Sequence, residues 1–254
     1  MSIRVLTADD VEQACALSRA ANWNQTSDDW QLAIEMNPAG CFAVEAEGAV
    51  VATTTTIRYG TRLAWIGMVL THPEFRGRGF ARALMQRALD DLSDVETVKL
   101  DATEMGAPLY RQLGFVDECP MERWVRAPGM AAACDAAAYV PGGPLDQEAF
   151  GADRSALLQR LAEIESGSAP GAFAMGRWAR FGPCVSRSKD SAEALLAWYL
   201  ARHAADSVLW DTFPSALPAA HGFVLSRRLM RMTRGRVLRA RDEFVYAGAG
   251  FEFG

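Results

Sequence analysis

Three stretches from the first half of this 254-residue chain return in the second, in the same order. GCFAVEAEG (40–48) is echoed by GAFAMGRWA (171–179), and GMVLT (67–71) by GPCVS (182–186). VKLDATEMGAPLYRQLGFV (98–116) is echoed by VLWDTFPSALPAAHGFV (208–224). Each match is short, but three in fixed order constrain the fold to one unit built twice. The chain is long enough for two ordinary domains, each with its own core. The text from Ala127 to Gly143, APGMAAACDAAAYVPGG, is small and punctuated by Gly and Pro, as a connection would be. The expected domains are therefore 1–127 and 144–254 with a linker over 128–143, part of which is a candidate first strand for the second unit.

Within the first unit the pattern alternates between helical and extended periods. DVEQACALSRA (10–20) sets Val11, Ala14, Leu17 and Ser18 on one helical face. TSDD (26–29) is a capping signal for a second helix, which runs to about Met36 and stops before Asn37-Pro38. CFAVEAEG (41–48) and VVATTTTIRYG (50–60) read as strands, and LAWIGMVLT (63–71), apolar on both faces, as a central strand. A helix follows with Ala81, Leu84, Met85, Ala88, Leu89 and Leu92 inward. VETVKLDA (95–102) is a buried strand, PLYRQLG (108–114) a short helix ended by Gly114, and FVDECPMERWVR (115–126) a closing strand pair. In the second half, 149–161 is an opening helical region and FVYAGAGFEFG (244–254) a terminal strand with flexible glycines. The fold class is a mixed α/β sheet flanked by helices, present twice.

Between the central strand and its helix stands HPEFRGRGFARA (72–83). A strand feeding a glycine-rich turn into a helix N-terminus is an anion site. The first-turn amides lack intrahelical partners, and the helix dipole adds partial positive charge. Gly77 and Gly79 permit positive φ and close backbone approach, while Arg76 and Arg78 add full charge at the rim. A di- or polyphosphate suits this geometry. No Lys-Ser/Thr follows, so it is not a P-loop. Arg82 stands where the dinucleotide G-x-G-x-x-G pattern needs a small residue.

The stretch VLTHPEFRGRGFARALM (69–85) resembles the acetyl-CoA site of the GCN5-related N-acetyltransferases (GNAT), whose Arg/Gln-x-x-Gly-x-Gly/Ala pattern is met by Arg76, Gly79 and Ala81. APLYRQLGF (107–115) is similar to the family's tyrosine-bearing segment, and the degenerate second half resembles the tandem-domain bacterial members. The resemblance implies that backbone groups of Met68, Val69 and Thr71 pair with the pantetheine arm. It also implies that Arg76, Gly77, Arg78, Gly79, Phe80 and Ala81 hold the pyrophosphate, and that Tyr110 protonates the departing thiolate. It assigns Trp23, Asn24 and Trp30 to the region that closes over the acceptor, where they either line a pocket or staple the helices. Asp101 and Glu104 are candidates for the amine's base, each with the alternative of a solvated loop carboxylate; Glu104 is taken forward as the catalytic one. A phenol with pKa near ~10 can protonate a thiolate, and no Ser/His/Asp or Cys/His pattern calls for a covalent intermediate.

In the second half, RSKDSAEALL (187–196) has no glycines and places Asp190 where a phosphate would sit, and Pro218 takes the place of Tyr110. That half is expected to keep the fold without CoA and to wall the acceptor site. The whole is expected to transfer acetyl from acetyl-CoA to a primary amine of a small molecule; a non-catalytic CoA-binding regulatory module is the alternative. The net charge of −5 and the lack of basic clusters argue against an RNA or DNA footprint, including an RNA-binding role for the RGRG turn. No apolar stretch reaches spanning length, and no secretory h-region opens the chain, so a cytoplasmic monomer or homodimer is expected. Cys15, Cys41, Cys119, Cys134 and Cys184 are isolated and odd in number, which fits buried thiols rather than disulfides or a metal site. His72 is taken as structural, and His203 and His221 have no evident partner.

Overall fold

The computed structural model describes residues 2–130, 135–138 and 144–254; Cys134 and most of the expected linker lie outside them. The chain opens with strand β1 (Ser2–Val5), helices α1 (Val11–Ala20) and α2 (Ser27–Met36), and strands β2 (Phe42–Ala46), β3 (Ala49–Tyr59) and β4 (Leu63–Thr71). Helix α3 (Phe80–Asp91), strand β5 (Thr97–Ala102), helix α4 (Ala107–Gln112) and strand β6 (Val116–Arg126) follow. After these come α5 (Pro144–Phe150), α6 (Ser155–Ala162), β7 (Ser166–Ala169), β8 (Ala172–Arg177) and β9 (Arg180–Ser186). The last elements are α7 (Lys189–Arg202), β10 (Val208–Thr212), α8 (Leu217–Ala220), β11 (Val224–Gly235) and β12 (Val245–Ala247).

Local signals explain most boundaries. Thr26 and Asp29 form the predicted capping box: Asp29 N donates to Thr26 Oγ1 at 3.3 Å, and Thr26 N donates to Asp29 Oδ2 at 2.9 Å. Helix α3 starts at Gly79, whose φ of 81° is left-handed and costs glycine nothing. Of residues 115–126, expected as a strand pair, Val116–Arg126 form the single strand β6, in which Pro120 pairs opposite Met230.

All the strands join one mixed 12-stranded sheet among the described residues, ordered β1-β2-β3-β4-β5-β11-β6-β10-β9-β8-β7, with β12 added beside β9. β4 with β5 and β9 with β10 run parallel; the other pairs are antiparallel. β5 and β6 are not neighbours. Strand β11, from the far end of the chain, lies between them and is antiparallel to both, while β6 lies between β11 and β10. The last long strand of each half is thus interleaved with the other's. An isolated bridge joins Ala137 to Ser168 of β7, the place that β1 holds beside β2.

Two layers cover the sheet. On one face α1, α2, α5 and α6 share one apolar core, which includes Trp30, Tyr59, Trp65, Leu157, Phe173 and Phe253. On the other, α3 and α4 pack over β2 to β5 through Leu84, Met85, Ala88 and Phe115, and α7 packs over β8 to β10 through Leu195, Tyr199 and Trp210. The terminal glycines, expected to be flexible, are buried. Phe251 and Phe253 enter the interior, and the carbonyls of Phe251, Phe253 and Gly254 accept hydrogen bonds from Trp65 Nε1 (2.9 Å), Tyr59 Oη (2.6 Å) and Arg154 Nη1 (3.1 Å). His203 and His221 do have partners: His203 sits between Glu165 (2.7 Å) and Asp206 (2.8 Å), and His221 meets Glu193 at 3.0 Å.

Candidate active site

The site begins with a defect in β4. Pairing with β3 passes from Thr53↔Leu70 to Thr55↔Gly67, leaving Met68 and Val69 together opposite Thr54. This is a β-bulge, and Met68 adopts a φ of 47°, unusual for a side chain of its size. Such a bulge leaves part of the ladder unpaired and re-aims the strand. β4 pairs with β5 only from Leu63↔Thr97 to Trp65↔Lys99. Beyond that point the two strands diverge and a cleft of about 440 Å³ opens between them.

The outer part of the cleft is formed by Thr71, Arg76, Gly77, Gly79, Phe80, Ala81 and Arg82. Gly77 and Gly79 have φ of 76° and 81°, and a Cβ at either would meet nothing within 4 Å, so backbone conformation rather than crowding requires glycine there. Arg76 Nε donates to the Thr71 carbonyl at 3.4 Å, which holds the turn against the strand end. Arg78 turns away. It lies over the Phe75 ring at 4.6 Å, donates to the Glu74 carbonyl at 3.3 Å, and does not line the cleft. His72 takes the structural place expected of it, accepting from Glu74 N at 3.4 Å. The Thr71 hydroxyl is buried with no hydrogen-bond partner among the described residues. Together with the open first-turn amides of α3, an orphaned hydroxyl fits the amide-bearing arm and phosphates of an acyl-CoA.

Past Val69 the cleft opens into an inner pocket of about 30 Å³. Trp23, Val69, Asp101, Thr103 and Tyr110 line both spaces and so mark their junction. Tyr110 is carried there by α4, packed edge-on against Phe115 with ring centroids 6.2 Å apart. Gly106 admits it: a Cβ at that position would come within 3.1 Å of the phenol oxygen. Burial pushes the Tyr110 pKa above its ordinary value, so the phenol keeps its proton.

Asp101 is fully engaged. Arg231 of β11 donates to it through Nε at 2.9 Å and Nη2 at 3.0 Å. Burial pushes the Asp101 carboxyl above the usual carboxylate range, against the opposing pull of that guanidinium. Glu104 is exposed and lines neither space, so the structure does not bring it to the reaction centre. Of the three acceptor-side candidates, Trp23 lines both spaces. Asn24 is exposed and accepts from Arg123 Nη1 at 2.5 Å. Trp30 lines neither space: it is fully buried in the helical core, where its Nε1 donates to Ser18 Oγ at 3.1 Å and staples α2 to α1, the second of its two expected places.

Several pocket residues carry no local signal in the sequence. Gln25 precedes the α2 cap, Arg123 comes from β6, Arg227 from β11, and Phe251 and Glu252 from the C-terminal segment. Arg123 forms a bidentate pair with Asp211, at 2.6 Å for both contacts. Glu252 receives Arg177 at 2.6 Å. Among the described residues no group of three or more His, Cys, Asp or Glu is placed to hold a metal ion, and no helix is long and apolar enough to cross a membrane.

Residues 9–115 match the family model described as the acetyltransferase (GNAT) family. The fold agrees. A candidate acetyltransferase from Pyrococcus horikoshii superposes with a TM-score of 0.88 at 22% identity, covering 100% of this chain and 95% of that one. A GCN5-related N-acetyltransferase from Sphaerobacter thermophilus gives 0.68 at 16% identity, over 94% of this chain and 98% of the other. One from Kribbella flavida gives 0.54 at 19% identity, over 92% and 71%. A UPF0039 protein from Schizosaccharomyces pombe is 35% identical over 74 residues, 28% of this chain, which spans about half (49%) of that protein's length.

Proposed function

We propose that this protein transfers an acetyl group from acetyl-CoA to the primary amine of a small molecule, with Tyr110 as the general acid. The observation that carries this reading is the placement of one buried phenol at the junction of two spaces. One is a glycine-floored cleft suited to an acyl-CoA, and the other is a small polar pocket. Acetyl-CoA supplies the acyl group already activated as a thioester. The turn from Arg76 to Ala81 holds its phosphates through backbone amides and the α3 N-terminus. The bulge at Met68-Val69 offers an amide to the oxygen that gains charge as the amine forms its C–N bond. Tyr110 gives its proton to the sulfur as the C–S bond breaks, and regains one from the site as the product nitrogen sheds its surplus proton.

The second half, 144–254, is read as a copy of the 1–127 unit that no longer takes CoA. Its helices and strands recur in the same order, and its parallel pair β9/β10 matches β4/β5. The space beside that pair is taken by the chain itself. β12 pairs with β9 at Val185 and Cys184, Gly248 N donates to Asp211 O at 2.8 Å, and Trp210 Nε1 donates to Tyr246 O at 2.8 Å. Helix α7 is capped by Ser188 rather than by a glycine turn.

Calorimetry with CoA and acetyl-CoA tests the reading on the wild type, Gly79→Asn, Gly79→Glu and Tyr110→Phe. Asn tolerates the left-handed backbone and adds no charge, so Gly79→Asn keeps binding while Gly79→Glu loses it. Tyr110→Phe keeps acetyl-CoA affinity and loses about 10²–10⁴-fold in turnover. Unchanged binding in Gly79→Glu, or unchanged turnover in Tyr110→Phe, overturns the corresponding part.

A further inference from the structure

The inner pocket contains five polar side chains besides Thr103 and Tyr110: Gln25, Asp101, Arg123, Arg227 and Glu252. Asp101 is spent on Arg231, and Arg123 on Asp211 and Asn24. The rest have capacity left over. Glu252 Oε1 is held by Arg177 at 2.6 Å, while Oε2 has, among the described residues, only Gln25 Nε2 at 3.4 Å. A carboxylate can only accept, so the amide nitrogen of Gln25 must face it, and Gln25 Oε1 is turned the other way. That oxygen is buried and has no hydrogen-bond partner among the described residues. A buried acceptor left unpaired is disfavoured, and a ligand N–H would satisfy it.

Arg227 is the complementary case. It is half-buried, no carboxylate lies within ion-pair distance of it among the described residues, and its contacts are the Asn22 carbonyl at 3.5 Å and the Trp23 ring at 5.9 Å. Burial and the neighbouring Arg123 hold its pKa below the ordinary arginine value, against an opposing pull from Asp211. The two acceptors and the cation are also set on different walls. Glu252 backs onto Gly67, where a Cβ would come within 3.0 Å of the Glu252 backbone, so the acceptors adjoin the bulged strand. Arg227 enters from β11 and reaches toward Trp23, at the mouth between pocket and cleft.

We infer that the acceptor is an amino acid, its amine donating to Gln25 Oε1 and its carboxylate on Arg227. This rests on the acyl-transfer reading and deepens it. An amine N–H suits an unpaired amide oxygen, and a guanidinium binds a carboxylate bidentately. One guanidinium balances one carboxylate; a phosphate dianion would leave a charge uncompensated in a pocket whose other cations are already paired. Glu252 packs against the strand that carries the bulge where the thioester carbonyl is proposed to lie, and Gln25 adjoins Glu252, so the amine is the end that meets it.

The test is binding to the wild type and to Arg227→Met, with and without saturating CoA, by calorimetry. The probes are glycine, L-alanine, L-methionine and β-alanine, the amide of each, the decarboxylated amine of each, and phosphoethanolamine. At least one amino acid is expected to bind ten-fold or more tighter than its amide, its amine and phosphoethanolamine. Arg227→Met, which keeps the apolar stem, is expected to erase that preference while CoA affinity and the urea midpoint stay as in the wild type. The proposal is overturned if no amino acid binds, if amines lacking an acid bind as well, if phosphoethanolamine binds best, or if the preference survives in Arg227→Met. CoA affinity is read in the same titrations, so its absence sinks the acyl-transfer reading separately from the amino-acid preference.

Discussion

Asp101 and Asp211 stand at matching places in KLDA and LWDT, and the structure shows what the repeated aspartate does. Asp101 on β5 faces Arg231 on β11, and Asp211 on β10 faces Arg123 on β6, each pair in direct cross-strand register. Both pairs are buried, and each ties one half of the chain to the other. Removing one partner of such a pair strands a charge, so Arg231→Met is expected to cost about 3–5 kcal/mol in urea unfolding. Asp101→Asn combined with Arg231→Met should cost clearly less than the two single changes together. A second expectation concerns acid. Burial works against ionisation of Asp29, but Arg177 and Arg180 prevail and hold its carboxyl below the usual aspartate range. A carboxyl depressed in the folded state contributes stability that is complete above the unfolded value of ~3.9 and is lost as pH falls through the folded value. The urea midpoint should therefore drop on going below about pH 4, and less steeply in Asp29→Asn. The repeated aspartates were visible in the sequence. Their arginines were not, because the pairing lies across strands remote in sequence and leaves no local spacing.

At the scale of elements, the turn into α3 was the most legible part. Positive φ at Gly77 and Gly79 is a local demand, and local demands write themselves into residue type. The capping box at Thr26 was legible for the same reason. The C-terminal segment was misread because its glycines answer a different demand. A Cβ added at Gly254 would come within 2.8 Å of Trp65 Cε3, and the Gly248 carbonyl lies so near Gly182 of β9 that a Cβ there would come within 2.2 Å of it, so the segment is held by close approach. Phe253→Ala is expected to cost about 3–5 kcal/mol, read by urea unfolding, since that ring is fully buried in the core shared by four helices. Because β12 fills the gap beside β9 and β10, calorimetry should find one mole of CoA per chain, not two.

At the scale of the molecule, the duplicated order of elements could be read from the three echoes, whereas the interleaving of β6 and β11 could not. Hydrophobic alternation says that a strand is half-buried; it does not say which neighbour it takes. That choice binds the halves. Residues 1–127 alone would present β5 with a bare edge where β11 belongs and would expose the core face that Phe150, Leu157 and Phe253 cover. Such a fragment should fail to fold, seen as the loss of cooperative unfolding and of CoA binding. The intact chain should melt in one transition by calorimetry, with no separate step for either half.

The crossed strands also impose an order on the birth of the protein. Residues up to Arg126 leave the ribosome well before Gly235, the end of the strand that must slip in beside β5. At ordinary synthesis rates of ~5–20 residues per second, the nascent first half waits on the order of ten seconds with its sheet unfinished. A codon pause within that window would lengthen the exposure, and a holding chaperone would be needed there more than at any other point in translation.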